Sequence, residues 1–233
     1  MKLSEEMKNK TLLSFELFPP KTEKGLQNLP GTIDHLMKYN PSYISCTYGA
    51  GGGNVGANRE VCQMIKNAGT TPVTHFTVIK NTKEGIKEQL DQYLADGVDH
   101  MLALRGDIPL GETTTCGDFD YATDLVKFVR DTYGDKFEIA VAGSPEGHIS
   151  CRSLESDIAV LKQKQDNGAD YIMTQLCWDM EQFKYWLDAI RKAGITMPVD
   201  VGVMPILDQA ATINMALSRN GCVMDRELSR MIS

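Results

Sequence analysis

The stretch His100-Met-Leu-Ala-Leu-Arg-Gly-Asp107 decides the fold of this chain. It contains an uninterrupted apolar run, Met101–Leu104, and becomes charged at Arg105 and Asp107, directly after that run. A continuous apolar run is typical of a parallel strand covered by helices, because an antiparallel strand with one solvated face alternates between apolar and polar residues. The stretch therefore predicts a buried strand whose carboxyl end carries polar side chains.

The same arrangement recurs along the chain and predicts seven strand-and-helix units. The predicted strands are Leu12–Phe18, Tyr43–Tyr48, Val73–Val78, His100–Leu104, Phe137–Ala142, Tyr171–Leu176 and Val199–Pro205. The segments between them carry apolar residues at helical spacing, for example Ile86, Leu90 and Leu94. Glycines that suit a helix C-cap with positive φ follow four of these helices, at Gly97, Gly134, Gly168 and Gly194.

Polar side chains gather at the carboxyl ends of the predicted strands, which favours a barrel. They are Glu16, Thr47, Tyr48, His75, Arg105, Asp107, Ser144, Glu146, His148 and Gln175. A (β/α)8 barrel brings the carboxyl ends of all its strands around one opening, so residues distant in sequence are expected to converge there. Taken singly, Glu16 also fits a salt-bridged core acid, and His75 also fits a hydrogen-bonded core histidine.

A doubly wound sheet that binds a dinucleotide is the alternative fold. Gly51-x-Gly53-x-x-Gly56 lies between a predicted strand and a predicted helix, as the phosphate-binding fingerprint does. However, neither Asp nor Glu ends the next strand, Val73–Val78, where an acidic residue would bind a ribose hydroxyl. We therefore interpret these glycines as a flexible loop and predict an α/β barrel that occupies residues 1–233 as one domain.

Composition and charge exclude several classes of function. The 233 residues include 24 basic and 31 acidic side chains, for a net charge of −7, and the basic residues are scattered, so we expect no nucleic-acid partner. The first residues lack the apolar core of a signal peptide, and no run approaches the roughly 18 apolar residues of a membrane span, so we expect a cytoplasmic protein. The six cysteines lie far apart and predict free thiols and no metal site.

Five segments, in order, resemble signature segments of the methylenetetrahydrofolate reductase family. They are Ser14–Pro20 (SFELFPP), Ser45–Gly49 (SCTYG), Thr74–Thr77 (THFT), Leu102–Asp107 (LALRGD) and Asp170–Gln175 (DYIMTQ). The resemblance extends from about residue 11 to residue 207. It implies a (β/α)8 barrel that binds FAD at the carboxyl ends of its strands. It also implies reduction of 5,10-methylenetetrahydrofolate to 5-methyltetrahydrofolate by hydride transfer from the reduced flavin.

The resemblance implies roles for individual residues. Glu16 corresponds to the general acid that opens the imidazolidine ring of the folate, and its apolar neighbours are expected to raise its pKa. Asp107 corresponds to the aspartate beside flavin and pterin, Gln175 to a folate-binding glutamine, and Tyr48 is a candidate aromatic at the opening. The residues that correspond to FAD contacts are Thr47, His75, Arg105, Gly106, Asp107, Tyr121, Ala142, Asp157 and Lys164. Without the resemblance, Asp157 and Lys164 also fit a solvated helix face.

The eighth strand of the barrel is missing from the predicted pattern, because only one helix, about Asp208–Ser218, follows the seventh strand. The unpaired edges of the first and seventh strands favour association, so we expect an oligomer. The expected partners are a folate substrate and an electron donor, either reduced nicotinamide or an electron-transfer protein. Two other functions stay open, a flavin-free pterin-binding barrel that transfers methyl groups and a non-catalytic truncated subunit.

Overall fold

Seven parallel strands form one curled sheet in the computed structural model of the chain. The structure describes residues 2–20, 22–48, 55–108, 111–148, 150–217 and 230–231. The strands follow one another in chain order, each paired with the next. The curl brings the first and last strands together, since Ser14 Oγ donates a hydrogen bond to Asp200 Oδ2 over 3.1 Å. The predicted α/β, TIM-barrel-like fold is thereby confirmed.

Strands and helices alternate along the chain as the repeated pattern predicted. The strands are β1 (Ser14–Leu17), β2 (Tyr43–Cys46), β3 (Thr71–Thr77), β4 (His100–Leu104), β5 (Glu138–Gly143), β6 (Tyr171–Thr174) and β7 (Val199–Asp200). The helices are α1 (Leu3–Met7), α2 (Glu23–Met37), α3 (Val55–Asn67), α4 (Lys83–Ala95), α5 (Ala122–Tyr133), α6 (Leu154–Asp166), α7 (Met180–Lys192) and α8 (Gln209–Leu217). The four predicted C-cap glycines, Gly97, Gly134, Gly168 and Gly194, all have positive φ.

The last strand is shorter than predicted, because β7 ends at Asp200 and the prediction extended to Pro205. Beyond that point Gly202 donates its N–H to the side-chain hydroxyl of Thr174, 2.9 Å away, instead of to a strand carbonyl. The two segments also lie very close, since a Cβ added at Gly202 would come within 2.7 Å of the Thr174 carbonyl oxygen. Between β6 and the residues after β7, a hydrogen bond to the Thr174 hydroxyl and a close backbone contact at Gly202 therefore take the place of regular strand pairing.

Several predictions concern residues that fall wholly or partly outside the described ranges. Gly51 and Gly53 of the glycine loop lie outside them, as does Cys222. The other five cysteines are free thiols, as expected. The described residues form seven strands, and the eighth strand of a complete barrel is not among them. No helix in the described part of the chain combines the length and the apolar character needed to cross a bilayer.

Strand alternation divides the apolar residues into two cores. The inner core fills the barrel with Leu3, Tyr43, Val73, Leu102, Ala140 and Tyr171. The outer core lies between the sheet and the helices, where Trp186 and Phe76 are among the largest fully buried side chains. Because successive residues of a strand point to opposite faces, membership of the inner core identifies which positions of each strand face the barrel interior.

A buried ion pair and the unpredicted helix α1 close the amino-terminal end of the barrel. Glu138 accepts hydrogen bonds from the backbone N–H groups of Leu3 and Ser4, each over 2.7 Å. His100 lies between two acids, with Nε2 2.9 Å from Glu138 and Nδ1 2.6 Å from Asp99. Burial by itself raises the pKa of Glu138, but His100 and the two N–H groups lower it to about 2. Burial lowers the pKa of His100, but Asp99 and Glu138 raise it to about 9.

Glu138→Gln is expected to lower the free energy of unfolding by about 3 kcal/mol near neutral pH, because it removes the buried carboxylate that pairs with His100. The stabilisation from Glu138 is complete above its unfolded pKa of 4.5 and is lost as the pH falls toward 2. That from His100 is complete below 6.5 and is lost as the pH rises through 9. Urea unfolding across this pH range measures both effects.

The control for this variant is Asp131→Asn, which breaks an ion pair with Lys127 in which both side chains are 63% exposed. This change is expected to have little effect on stability, because water screens an exposed pair. If Glu138→Gln unfolds at the same urea concentration as the wild type, the buried pair does not stabilise the barrel.

Candidate active site at the carboxyl ends of the strands

Glu16 and His75 meet inside the barrel, with Glu16 Oε2 3.7 Å from His75 Nε2. Glu16 lies on β1 and His75 on β3, and the side chains of one layer in such a barrel come from alternate strands. The His75 side chain is 8% exposed and the Glu16 side chain is 45% exposed. Glu16 is therefore accessible to a ligand, whereas His75 is enclosed in the wall.

Loss of contact with water favours the neutral forms of both groups, although it is only partial for Glu16. It raises the pKa of the Glu16 carboxyl above its ordinary value and lowers the pKa of His75 to about 4. At neutral pH His75 is therefore an uncharged imidazole, so its contact with Glu16 is not a salt bridge. A carboxyl group that holds its proton more strongly than a free one suits a proton donor at the opening.

On β2 and β3, three inward-facing buried polar atoms have no hydrogen-bond partner within the described part of the chain. They are Ser45 Oγ, His75 Nε2 and Thr77 Oγ1, on residues that are 1%, 6% and 2% exposed. Buried polar groups are usually paired, since an unpaired one loses its hydrogen bonds to water without compensation. This part of the wall is therefore complementary to a polar ligand.

The segment after β4 brings Arg105, Gly106 and Asp107 to the opening. Gly106 has a φ of +88°, and a Cβ there would come within 3.1 Å of the Cβ atoms of Thr77 and Ile79. Both the conformation and the close approach therefore require glycine. Arg105 is half-buried, with its Nε 3.4 Å from the Gly106 carbonyl oxygen, and Asp107 is exposed.

Gln175 follows β6 at the same end of the sheet. Its backbone N–H donates to the Gly143 carbonyl over 2.8 Å, and its side-chain Oε1 accepts the N–H of Leu176 over 2.9 Å. The side chain is half-buried. These bonds fix the position of Gln175 beside the end of β5.

Asp157 and Lys164 lie on the side of α6 that faces the end of β5. Lys164 Nζ donates to the Ala142 carbonyl over 2.9 Å, and Asp157 Oδ2 accepts the backbone N–H of His148 over 3.2 Å. Burial lowers the pKa of Lys164, and the nearby charge of Asp157 opposes this shift. Both side chains are half-buried, so a solvated helix face does not describe them.

Asn58 is a residue of this region that the sequence did not single out. It is fully buried, and its Nδ2 donates to the carbonyls of Cys46 and Thr47 over 3.0 and 3.1 Å. Its Oδ1 accepts the hydroxyls of Thr74 and Tyr93 over 2.8 and 2.7 Å. This network holds the end of β2, including Thr47, against β3. An asparagine within a helical pattern gives no sign of such distant partners.

Neither predicted tyrosine lies in the inner wall. Tyr48 is 5% exposed, its hydroxyl donates to Gln89 over 2.8 Å, and its ring centroid lies 5.7 Å from that of Phe76 in the outer core. The structure therefore does not place Tyr48 at the opening. Tyr121 is 61% exposed and immediately precedes α5.

The arrangement as a whole can bind a polar ligand beside a proton-donating carboxyl group. It combines neutral hydrogen-bonding atoms with the charged groups of Arg105, Asp107 and Lys164. No three His, Cys, Asp or Glu side chains of the described ranges form a group that could hold a metal ion.

Comparison with known proteins identifies the family to which this site belongs. The family profile for methylenetetrahydrofolate reductase matches residues 2–224, nearly the whole chain. The chain belongs to the methylenetetrahydrofolate reductase family. The segments that resemble this family in sequence therefore supply Glu16, His75 and Asp107 of the site described above.

Curated members of the methylenetetrahydrofolate reductase family match most of this chain. Methylenetetrahydrofolate reductase (NADH) 1 of Arabidopsis thaliana is 38% identical over 219 residues, which are 88% of this chain and 37% of that protein. The 5,10-methylenetetrahydrofolate reductase of Escherichia coli is 34% identical over 202 residues, which are 86% of this chain and 67% of that protein. The chain thus spans little more than a third of the length of the plant relative.

Solved structures share the fold at low sequence identity. A protein from Clostridium thermocellum, described as binding two copies of 5-methyl-5,6,7,8-tetrahydrofolic acid, has a TM-score of 0.70 and 13% identity, covering 99% of this chain and 79% of its own. A 2,3-dimethylmalate lyase has a TM-score of 0.58 and 12% identity, covering 99% and 90%. These likenesses establish the barrel architecture of this family member.

Glu16→Gln is expected to raise the melting temperature at about pH 8 and to leave it nearly unchanged at about pH 4. A carboxyl whose folded pKa is raised stabilises the protein fully below its unfolded pKa of 4.5, and that stabilisation is lost as the pH rises through the raised value. Glutamine carries no charge at either pH. Thermal unfolding of both proteins across this range measures the difference.

The control for this measurement is Glu84→Gln on the exposed surface of α4, which should not alter the pH dependence. If Glu16→Gln instead melts at a lower temperature at about pH 8, the folded protein stabilises the Glu16 carboxylate rather than its neutral form.

Proposed function

We propose that this chain carries the flavin-dependent catalytic site of a methylenetetrahydrofolate reductase. The reaction is the reduction of 5,10-methylenetetrahydrofolate to 5-methyltetrahydrofolate. The observation that carries this proposal is the pair Glu16 and His75, in which an accessible carboxyl with a raised pKa lies 3.7 Å from a buried neutral imidazole. Membership of the family supports the choice of reaction.

The residues of the opening fit a bound FAD. The unpartnered Nε2 atom of His75 can hydrogen-bond a polar atom of a flavin ring, and the family resemblance also assigns Gly106 to the cofactor. The cationic groups of Arg105 and Lys164 suit the phosphates of the cofactor. Thr47, Asp107, Tyr121, Ala142 and Asp157 complete the set that the family resemblance assigns to FAD. When bound, FAD supplies the hydride.

Glu16 acts as the general acid on the folate. Opening the five-membered imidazolidine ring requires a proton on the nitrogen that leaves the bridging carbon, and the neutral carboxyl of Glu16 donates it. The carbon is then an iminium electrophile that accepts the hydride. The neutral His75 beside Glu16 adds no positive charge that would lower the pKa of this acid.

Asp107 and Gln175 orient the folate. The exposed carboxylate of Asp107 binds the N–H groups of the pterin and stabilises positive charge on the iminium carbon. Gln175, fixed beside the end of β5, hydrogen-bonds the folate as well. Reduced nicotinamide and an electron-transfer protein are the two donors that this scheme admits. The NADH in the name of the Arabidopsis relative supports the first.

A second candidate function is a flavin-free barrel that binds folate for methyl transfer. One observation favours it, since the Clostridium thermocellum protein with a TM-score of 0.70 is described as binding 5-methyl-5,6,7,8-tetrahydrofolic acid. The two functions differ in the need for FAD. Folate binding by the flavin-free chain, abolished by Asp107→Asn, would favour the second.

Purified protein loaded with FAD is expected to be yellow, to bleach on anaerobic reduction and to regain its colour on addition of methylenetetrahydrofolate. Glu16→Gln should bind FAD and bleach normally but regain colour about 10²–10⁴-fold more slowly, because it lacks the proton donor. Absorbance at the flavin band, followed after rapid mixing, measures this step separately from reduction of the flavin.

Glu84→Gln is the matched control and should regain colour at the wild-type rate, because it changes the same functional group on an exposed helix surface. A chain that stays colourless after incubation with FAD would rule out the flavin-dependent reaction. Equal rates for Glu16→Gln and the wild type would exclude Glu16 as the acid.

A further inference from the structure

Thr77 carries a buried hydroxyl that the protein leaves unpaired. It is the last residue of β3, it is 2% exposed, and its Oγ1 has no hydrogen-bond partner within the described residues. The backbone around it is regular, since Thr77 pairs with Leu104 in the β3–β4 register. The hydroxyl thus contributes nothing to the strand itself, and burying it without a partner destabilises the protein.

The position of Thr77 places this hydroxyl in the wall of the opening. Thr77 lies two residues after His75, and alternation puts both side chains on the inner face together with Val73 of the inner core. In the segment after the neighbouring strand β4, a Cβ added at Gly106 would lie 3.1 Å from the Thr77 Cβ. The hydroxyl therefore lies between the enclosed imidazole and the glycine of the opening.

Thr74 on the same strand shows how a structural hydroxyl is treated in this barrel. It is fully buried, it points to the outer face, and its Oγ1 donates to Asn58 Oδ1 over 2.8 Å. Thr74 and Thr77 are thus both buried, but they point to opposite faces of β3. The outward hydroxyl of Thr74 is paired within the protein, whereas the inward hydroxyl of Thr77 has no partner among the described residues. Val73 shows that a valine side chain packs at an inward position of the same strand, so packing alone does not require the Thr77 hydroxyl.

We propose that the Thr77 hydroxyl is a hydrogen-bonding contact for the isoalloxazine ring of FAD, next to His75. The inference rests on the proposed flavin-dependent function and adds a residue to it. A threonine hydroxyl both donates and accepts, so it can pair with an N–H, a ring nitrogen or a carbonyl oxygen of the flavin edge. The ligand then satisfies an atom that the protein alone leaves unpaired.

Thr77→Val tests this assignment, because valine keeps the shape of the side chain and removes only the hydroxyl. Titration of the flavin-free chain with FAD, followed by flavin fluorescence, should give a dissociation constant about 3–10-fold higher than that of the wild type, the effect of one hydrogen bond. The melting temperature of the flavin-free variant should equal or exceed that of the wild type, because the unpaired hydroxyl is gone. Thr77→Ser should restore the affinity.

Thr74→Val is the matched control on the same strand. It should lower the melting temperature of the flavin-free chain, since it removes the buried hydrogen bond from Thr74 to Asn58, while changing the FAD dissociation constant less than Thr77→Val does.

The outcomes separate this inference from the proposed function. If the wild type binds FAD and Thr77→Val binds it equally well, the contact does not exist, although the flavin-dependent reaction stands. If Thr77→Val melts lower without FAD and keeps its affinity, the hydroxyl has a structural role and the inference is overturned. If the wild type itself binds no FAD, both proposals fail together.

Discussion

The contact between the first and last strands is the constraint on which the site depends. Asp200 on β7 accepts hydrogen bonds from Ser14 on β1 and from the hydroxyl of Tyr43 on β2. Glu16 follows Ser14 on the same face of β1, so the curl that this contact holds also directs Glu16 toward the barrel axis. There its carboxyl group lies beside His75 of β3, the strand on the far side of β2 in the sheet order. In an open, flat sheet, the two side chains would stand two strands apart and would not touch.

The buried titratable groups at the two ends of the barrel have pKa values shifted in opposite ways. At the amino-terminal end, Glu138 and His100 are charged, paired and stabilising, with pKa values of about 2 and about 9. At the opening, burial instead raises the pKa of Glu16 and lowers that of His75 to about 4, and three polar atoms there have no partner among the described residues. The ion pair at the amino-terminal end thus stabilises the fold. At the opening, the pKa shifts of Glu16 and His75 suit proton transfer and do not stabilise the fold at neutral pH. This division is a familiar feature of enzymes.

The strands and helices could be predicted because their signals are local, and the meeting of Glu16 with His75 followed once the barrel was recognised. What failed depended on contacts between distant residues. The length of β7 is set by a hydroxyl on β6, and α1 forms against Glu138. Tyr48 was assigned to the opening, but alternation after β2 turns it to the outer core. Asn58 gives no signal in the sequence, because its partners lie on three other elements, β2, β3 and α4.

Helix α1 has a consequence for how the chain is made. Its N–H groups bind Glu138, and Leu3 and Glu138 are 135 positions apart, so α1 gains this partner only after those residues have been synthesised. At about 5–20 residues per second, that interval is roughly 7–27 s. Until then, the two N–H groups of α1 have no Glu138 carboxylate to bind. The amino-terminal end of the barrel therefore assembles late in the synthesis of the barrel, although α1 precedes all seven described strands.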